Sequence, residues 1–163
     1  MLNKAMQDAI NEQINKELYS AYLYLSMSAY FESINMPGSA KWMRAHHDEE
    51  HAHAIKFFDY VHDRGGRVVL KAIDQPTADF ASPIAVWEAV LEHEKKVTGL
   101  IHRLYELAVK ENDYASQVML QWFINEQVEE EKNATQMVER FKAIGNQPAM
   151  LLLADGHLTK RGD

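Results

Sequence analysis

Four stretches of this 163-residue chain repeat apolar residues at three- and four-residue steps, and a carboxylate interrupts each repeat near its middle. The first runs from about residue 4 to 33 without Pro or Gly, with the seam Ile10, Ile14, Glu17, Ala21, Tyr24, Ser28, Phe31. The second runs from about 38 to 64, with Met43, His46, Glu50, His53, Phe57 and Tyr60, and Gly65-Gly66 ends it. The third opens near Pro83 and continues to about 111, with Trp87, Val90, Glu94, Val97, Ile101, Leu104 and Ala108. The fourth spans about 114–144, with Leu120, Phe123, Gln127, Glu130, Ala134, Met137, Phe141 and Ile144. A bundle seam normally holds Leu, Ile, Val, Phe or Ala. Burying one ion without a partner costs on the order of several kcal/mol, so four at one level need cations beside them.

The spacing of the helices sets the topology. Residues 66–83 contain Pro76 and Pro83 and cannot continue a helix. At ~3.3 Å per extended residue they can span more than ~50 Å, whereas a helix of the second one's length is ~40 Å long. They can therefore return the chain along the whole bundle. With the first helix rising, the second falling, the third falling and the fourth rising, Glu17, Glu50, His53, Glu94, Gln127 and Glu130 fall at heights of roughly 17–25 Å. Past Gly145, Pro148 starts a short apolar helix over about 148–155, ending at Asp155-Gly156, before a polar tail. The expected fold is all-α: a single domain over 1–163, a four-helix bundle at about 4–144 with one long crossover between helices two and three, and a short fifth C-terminal helix.

The chemistry follows from the interruptions. Glu50 and His53 stand at i, i+3 and reach one point in space. Four carboxylates and an imidazole suit two divalent ions with bridging carboxylates. Hard oxygen donors plus imidazole point to iron or manganese, with zinc as a competitor. A second acidic group, Glu49, Glu126 and Glu129, lies just off the seam and, with Glu130, offers a further cation site on the flank. Tyr24 lies two turns beyond Glu17 on the same face, and Trp122 sits beside the fourth seam. His46 is a seam neighbour of the flank site, while His47 and His51 are expected at the surface. The formal net charge of −7 disfavours nucleic acid and anionic membranes. With no cysteine, thiolate zinc sites, iron–sulfur clusters and Cys nucleophiles are excluded. No stretch has the length of a membrane span, and the first residues lack the apolar run of a signal peptide, so a cytoplasmic location is expected.

The motifs Glu17-Leu18-Tyr19-Ser20-Ala21-Tyr22-Leu23-Tyr24, Met36-Pro37-Gly38, Glu49-Glu50-His51-Ala52-His53 and Asn125-Glu126-Gln127-Val128-Glu129-Glu130-Glu131 resemble the ferritins, most closely the bacterial non-haem ferritins. One long crossover and a Glu plus Glu-x-x-His pattern are general marks of that fold group. The resemblance implies a ferroxidase centre: Glu17, Glu50 and His53 on one iron, Glu50 bridging, Glu94 and Glu130 on the second with Gln127 beside it, and Tyr24 adjacent. It implies a third iron on Glu49, Glu126, Glu129 and Glu130. It further implies that ferrous iron and dioxygen are the reactants, that ferric oxide is stored inside a 24-subunit shell, and that the fifth helix lies near a four-fold axis. The match to bacterioferritins breaks at Asn133, which replaces the His of a second Glu-x-x-His, and at His51-Ala52, where those proteins carry a haem-ligating Met; no haem is expected. Gln117 and Leu120 stand where animal ferritins place acidic residues of a three-fold channel. Rival readings are a non-catalytic metal buffer, a di-iron oxidase or peroxidase acting on another substrate, and a DNA-protecting miniferritin, against which the chain offers no basic tail beyond Lys160-Arg161.

Overall fold

The computed structural model describes residues 1–159. Five helices follow one another: α1 (Lys4–Ser33), α2 (Pro37–Asp63), α3 (Pro83–Lys110), α4 (Tyr114–Ile144) and α5 (Pro148–Thr159). Lys160 and Arg161 lie outside the described residues. Local chemistry explains the helix starts. Asn3 accepts from the Met6 amide at 2.8 Å, and Ser82 and Asp113 accept from the Ala85 and Ser116 amides at 3.3 and 3.1 Å. The turns use residues that tolerate positive φ: Asn35 at 56°, Asn112 at 53°, Gly65 at 68° and Gly145 at 63°. Asn112-Asp113 is thus a full turn between two helices.

The crossover runs up the bundle against α1, as its length required. The Leu2 amide donates to the Arg64 carbonyl at 3.0 Å, Asn11 Nδ2 to the Arg67 carbonyl at 3.1 Å, and Asn15 Nδ2 to the Ala72 carbonyl at 3.0 Å. Higher up, Ser26 Oγ donates to the Thr77 carbonyl at 2.7 Å, and the rings of Tyr30 and Phe80 meet at 5.3 Å. Side chains of α1 thereby satisfy carbonyls in a segment that has no ladder of its own. α1 and α4 consequently run up and α2 and α3 run down. Arg64 pairs with Asp113 at 3.0 Å at the lower end, and Trp87 meets Trp42 and Phe141 at 4.9 and 5.2 Å at the upper end.

Two apolar cores result. The lower one packs Met6, Ile10, Phe57, Ile101, Leu120 and Phe123; the upper one packs Met27, Phe31, Met43, Trp87, Val90 and Phe141. Between them lies a layer of buried polar side chains: Glu17, Glu50, His53, Glu94, Gln127 and Glu130. Nearly every predicted seam residue is buried. On α2, Val61 takes the buried place expected for Tyr60, whose hydroxyl instead meets Ser116 Oγ at 2.9 Å. Leu120 is fully buried.

The fifth helix does not stop at Asp155-Gly156 but continues to Thr159. Asp155 is buried, and its carboxylate accepts from the Gly38 amide at 2.9 Å, the Ser39 amide at 2.7 Å and Ser39 Oγ at 2.7 Å. It caps the N-terminus of α2, which has no side-chain cap of its own at Met36. Three donors and the positive helix end hold that negative charge. Gly38 is required by this approach, because a Cβ there would stand 2.0 Å from the Asp155 carbonyl oxygen. Replacing Asp155 by Ala is therefore expected to cost about 1–2 kcal/mol and to speed amide exchange at Gly38 and Ser39 while the lower core keeps its protection. Hydrogen exchange checks this, and unchanged protection at both amides would contradict the cap.

Candidate metal centre

The middle layer is built by one or two side chains from each long helix. Glu17 on α1 and Glu50 and His53 on α2 bring one ligating atom each to within 4.8 Å of one another, and all three are buried. One oxygen of Glu17 accepts from Gln13 Nε2 at 2.7 Å. The other, Oε2, and Glu50 Oε2 are buried with no hydrogen-bond partner. Such orphaned acceptors are rare in folded proteins, since burial removes the water that would satisfy them. A divalent cation fits here: it would occupy the vacant oxygens and accept the His53 imidazole, whose Nδ1 stands 3.8 Å from Glu50 Oε2.

Glu94, on α3, is fully buried in the same layer, but its oxygens are already engaged. The Tyr24 hydroxyl donates a short hydrogen bond to Oε1, and Gln127 Nε2 donates to Oε2 at 3.2 Å. Gln127 also reaches Thr98 Oγ1 at 3.2 Å, and Thr98 in turn donates to Glu131 at 2.6 Å. Glu130, on α4, turns to the opposite flank. It lies 3.5 Å from His46 Nε2, and His46, Glu49 and Glu130 form a second group with ligating atoms within 4.8 Å.

The predicted residues therefore divide. Glu17, Glu50 and His53 converge, and Glu49 converges with Glu130. Glu94 and Gln127 face the centre joined to each other. Burial raises Glu49, and the charge of half-buried Glu126 adds to it, whereas Glu129 is exposed and joins neither group. Trp122 is partly exposed, with its ring edge-on to His53 at 5.4 Å and Lys56 Nζ 4.1 Å from the ring centre. His51 is exposed. Three supporting residues lie outside the sequence expectations. Gln13 stands four residues before Glu17 and Thr98 four after Glu94, which is the signal that would have found them. His93 meets Ser20 Oγ at 2.8 Å behind the centre. His46, expected as a seam neighbour of the flank site, belongs to its ligating group; Trp42 stacks on its ring at 3.4 Å.

Electrostatics follow from burial without water. Burial, then repulsion from Glu50, pushes Glu17 well above the ordinary carboxyl value. Burial and the charge of Glu94 do the same to Glu50. Burial raises Glu94 to about 7, although the Tyr24 hydrogen bond works against it. Tyr24 is pushed up by burial and by Glu94 beside it. Burial acts to lower His46, but the hydrogen bond and charge of Glu130 outweigh it, and the net direction is up.

These directions give a pH dependence. The metal-free folded state keeps protons on Glu17, Glu50 and Glu94 that the unfolded chain has released. The resulting stabilisation is complete below the unfolded carboxyl value and is lost as pH rises through about 7, where Glu94 titrates. Denaturant unfolding of the metal-free protein is expected to show a loss on the order of a few kcal/mol between pH 5 and 8. Glu94→Gln should flatten that slope; a parent stability that rises over this range would contradict the buried, uncompensated layer.

Comparison with known proteins agrees with this architecture. A family model described as a ferritin-like domain matches residues 7–144. A bacterial non-heme ferritin of Bacteroides fragilis is 40% identical over 161 residues, covering 99% of this chain and 100% of that protein. One from Campylobacter jejuni is 38% identical over 158 residues, covering 97% and 95%. Among solved structures, an open-pore ferritin from the hyperthermophilic archaeon Archaeoglobus fulgidus superimposes with a TM-score of 0.96 at 48% identity, covering 98% of each chain. With the family model spanning all four long helices and relatives matching nearly end to end, the chain belongs to the ferritin-like family.

Proposed function

We propose that this protein is an iron-storage ferroxidase, acting in the cytoplasm, that oxidises ferrous iron with dioxygen at a di-iron centre inside each bundle. The observation that carries the reading is the pair of buried, unpartnered oxygens on Glu17 and Glu50 next to His53. The first ferrous ion takes Glu17, Glu50 and His53. The second takes Glu50 as a bridge, with Glu94 and Glu130. For this Glu94 gives up the hydrogen bonds from Tyr24 and Gln127, which until then hold its charge in place. Cation binding displaces the protons that burial keeps on Glu17, Glu50 and Glu94, so ferrous affinity rises with pH. Dioxygen takes one electron from each ferrous ion, so that both become ferric, and with two protons it leaves as hydrogen peroxide.

A third iron site lies on the flank, with Glu49 and Glu130 as its core, Glu126 near and His46 contributing an imidazole. Glu129, exposed and outside the converging group, would have to turn toward it to contribute.

Storage requires an enclosed volume, which a single bundle lacks. Apolar side chains left uncovered on one chain support assembly into a shell of 24 subunits: Leu152 and Leu153 on α5 are 61% and 60% exposed, and Leu70 on the crossover is 62% exposed. No helix among the described residues is long and apolar enough to cross a membrane. The net charge of −7 argues against nucleic acid as a partner.

Aerobic addition of ferrous ion should produce ferric absorbance in the parent. Glu17→Ala and His53→Ala should slow it at least as much as the ~10-fold that loss of a supporting residue costs a metal site. Unchanged rates in both variants would remove the centre. Ferrous binding without oxidation in the parent would favour a non-catalytic metal buffer. Size-exclusion chromatography is expected to show a large assembly, and a monomer or dimer would contradict the shell.

A further inference from the structure

A cavity of about 470 Å³ opens on the groove between α1 and α3, lined only by residues of those two helices. Its volume falls in the range that encloses a small organic ligand. Four cations line it, Lys16, Lys95, Lys96 and Arg103, and no carboxylate does. In a chain of net charge −7 that is a local reversal of sign, and a concave surface concentrates the field of such a group. Lys96 is paired with Glu92 at 3.0 Å, but Lys16, Lys95 and Arg103 have no ion-pair partner among the described residues. Between the cations the lining is apolar and aromatic: Tyr19, Val97 and Leu100. Ser20 and His93, hydrogen-bonded to each other at 2.8 Å, add a neutral polar pair.

Gly99 is the second observation. It lines the cavity from the interior of α3, where glycine weakens a helix relative to alanine. Close packing does not require it: a Cβ there would meet only Arg103 Nη1, at an ordinary 3.6 Å. A large side chain at 99 would fill part of the cavity and crowd the Arg103 guanidinium. The glycine keeps the space open and leaves Arg103 facing it.

We propose that this groove binds a phosphorylated aromatic anion of the mononucleotide class. The ring lies against Tyr19 and Leu100, and the phosphate is held by Lys16, Lys95 and Arg103, with the arginine fork donating to two of its oxygens. The ring and the phosphate are both needed, because Lys16, Lys95 and Arg103 are exposed and their hydrated charges hold inorganic phosphate only weakly.

The test is calorimetric titration of the purified full-length protein with flavin mononucleotide, adenosine monophosphate, riboflavin and inorganic phosphate. The two phosphorylated aromatics are expected to saturate one site per chain and to weaken with added salt, as charge recognition requires. Riboflavin and inorganic phosphate are expected to bind at least about tenfold more weakly, the loss that follows when a charge-assisted contact or the ring's burial is missing. Gly99→Leu should abolish binding, and Lys16→Glu combined with Arg103→Glu should reduce it by about tenfold or more. Circular dichroism of each variant establishes that it is folded; if one is not, the other decides. No saturable binding of either mononucleotide, equal binding of riboflavin or of phosphate alone, or parent-like binding by the folded variants would overturn the proposal.

Discussion

The rest of this molecule depends on the mutual repulsion and desolvation of carboxylates buried in one layer of a helical bundle. Glu17, Glu50 and Glu94 are each essentially inaccessible to water, with Glu130 nearly so; burial, and then the charge of neighbouring carboxylates, raises the proton affinity of Glu17, Glu50 and Glu94. Such a layer opposes folding. It persists because two apolar cores clamp it from above and below, each built on large aromatic side chains, with Trp87 and Phe31 in one and Phe57 and Phe123 in the other. The layer is strained electrostatically rather than sterically, and cations are the partners that relieve it. Stability lost to the buried charge is in this sense stored as affinity for metal.

The arrangement is held by connections as much as by seams. The long return along α1 lets α3 run down beside α1, so that Glu94 arrives at the level of Glu17 and Glu50. α1 secures this return with the amides of Asn11 and Asn15 and the hydroxyl of Ser26. At the upper end, Asp155 joins α5 to the first turn of α2, the helix that carries Glu50 and His53. Around the centre, neutral donors do the holding. Gln13 fixes one oxygen of Glu17, while Tyr24 and Gln127 hold Glu94. Each leaves a carboxylate that can turn to a cation without first breaking an ion pair.

Much of this was legible because a helix converts spacing into position. Periods of three and four placed all four carboxylates inward, and a rise of ~1.5 Å per residue placed them at one height. The length of 66–83 distinguished a crossover from a hairpin. What escaped depends on contacts between distant segments or on rotamers. Asp155-Gly156 looks like a helix stop, yet Asp155 caps a helix over a hundred residues earlier, which no local pattern encodes. Tyr60 and Val61 are neighbours at the lower end of α2, and the choice between them was settled by Ser116 on another helix. His46 lies beside Glu130 with Trp42 stacked upon it, and stacking four residues back is one of several rotamers a sequence allows. Spacing cannot place Glu129 inside or outside the flank site, since residues at the edge of a seam reach either way.

The central claim is that the buried layer is a site for two ferrous ions. Crystals grown metal-free and soaked anaerobically with ferrous ion, with diffraction recorded on either side of the iron absorption edge, test it most directly. The account predicts anomalous peaks between Glu17, Glu50 and His53 and between Glu50, Glu94 and Glu130, with Glu94 released from Tyr24. Iron confined to surface carboxylates, with the Tyr24–Glu94 hydrogen bond intact and the middle layer empty, would contradict it.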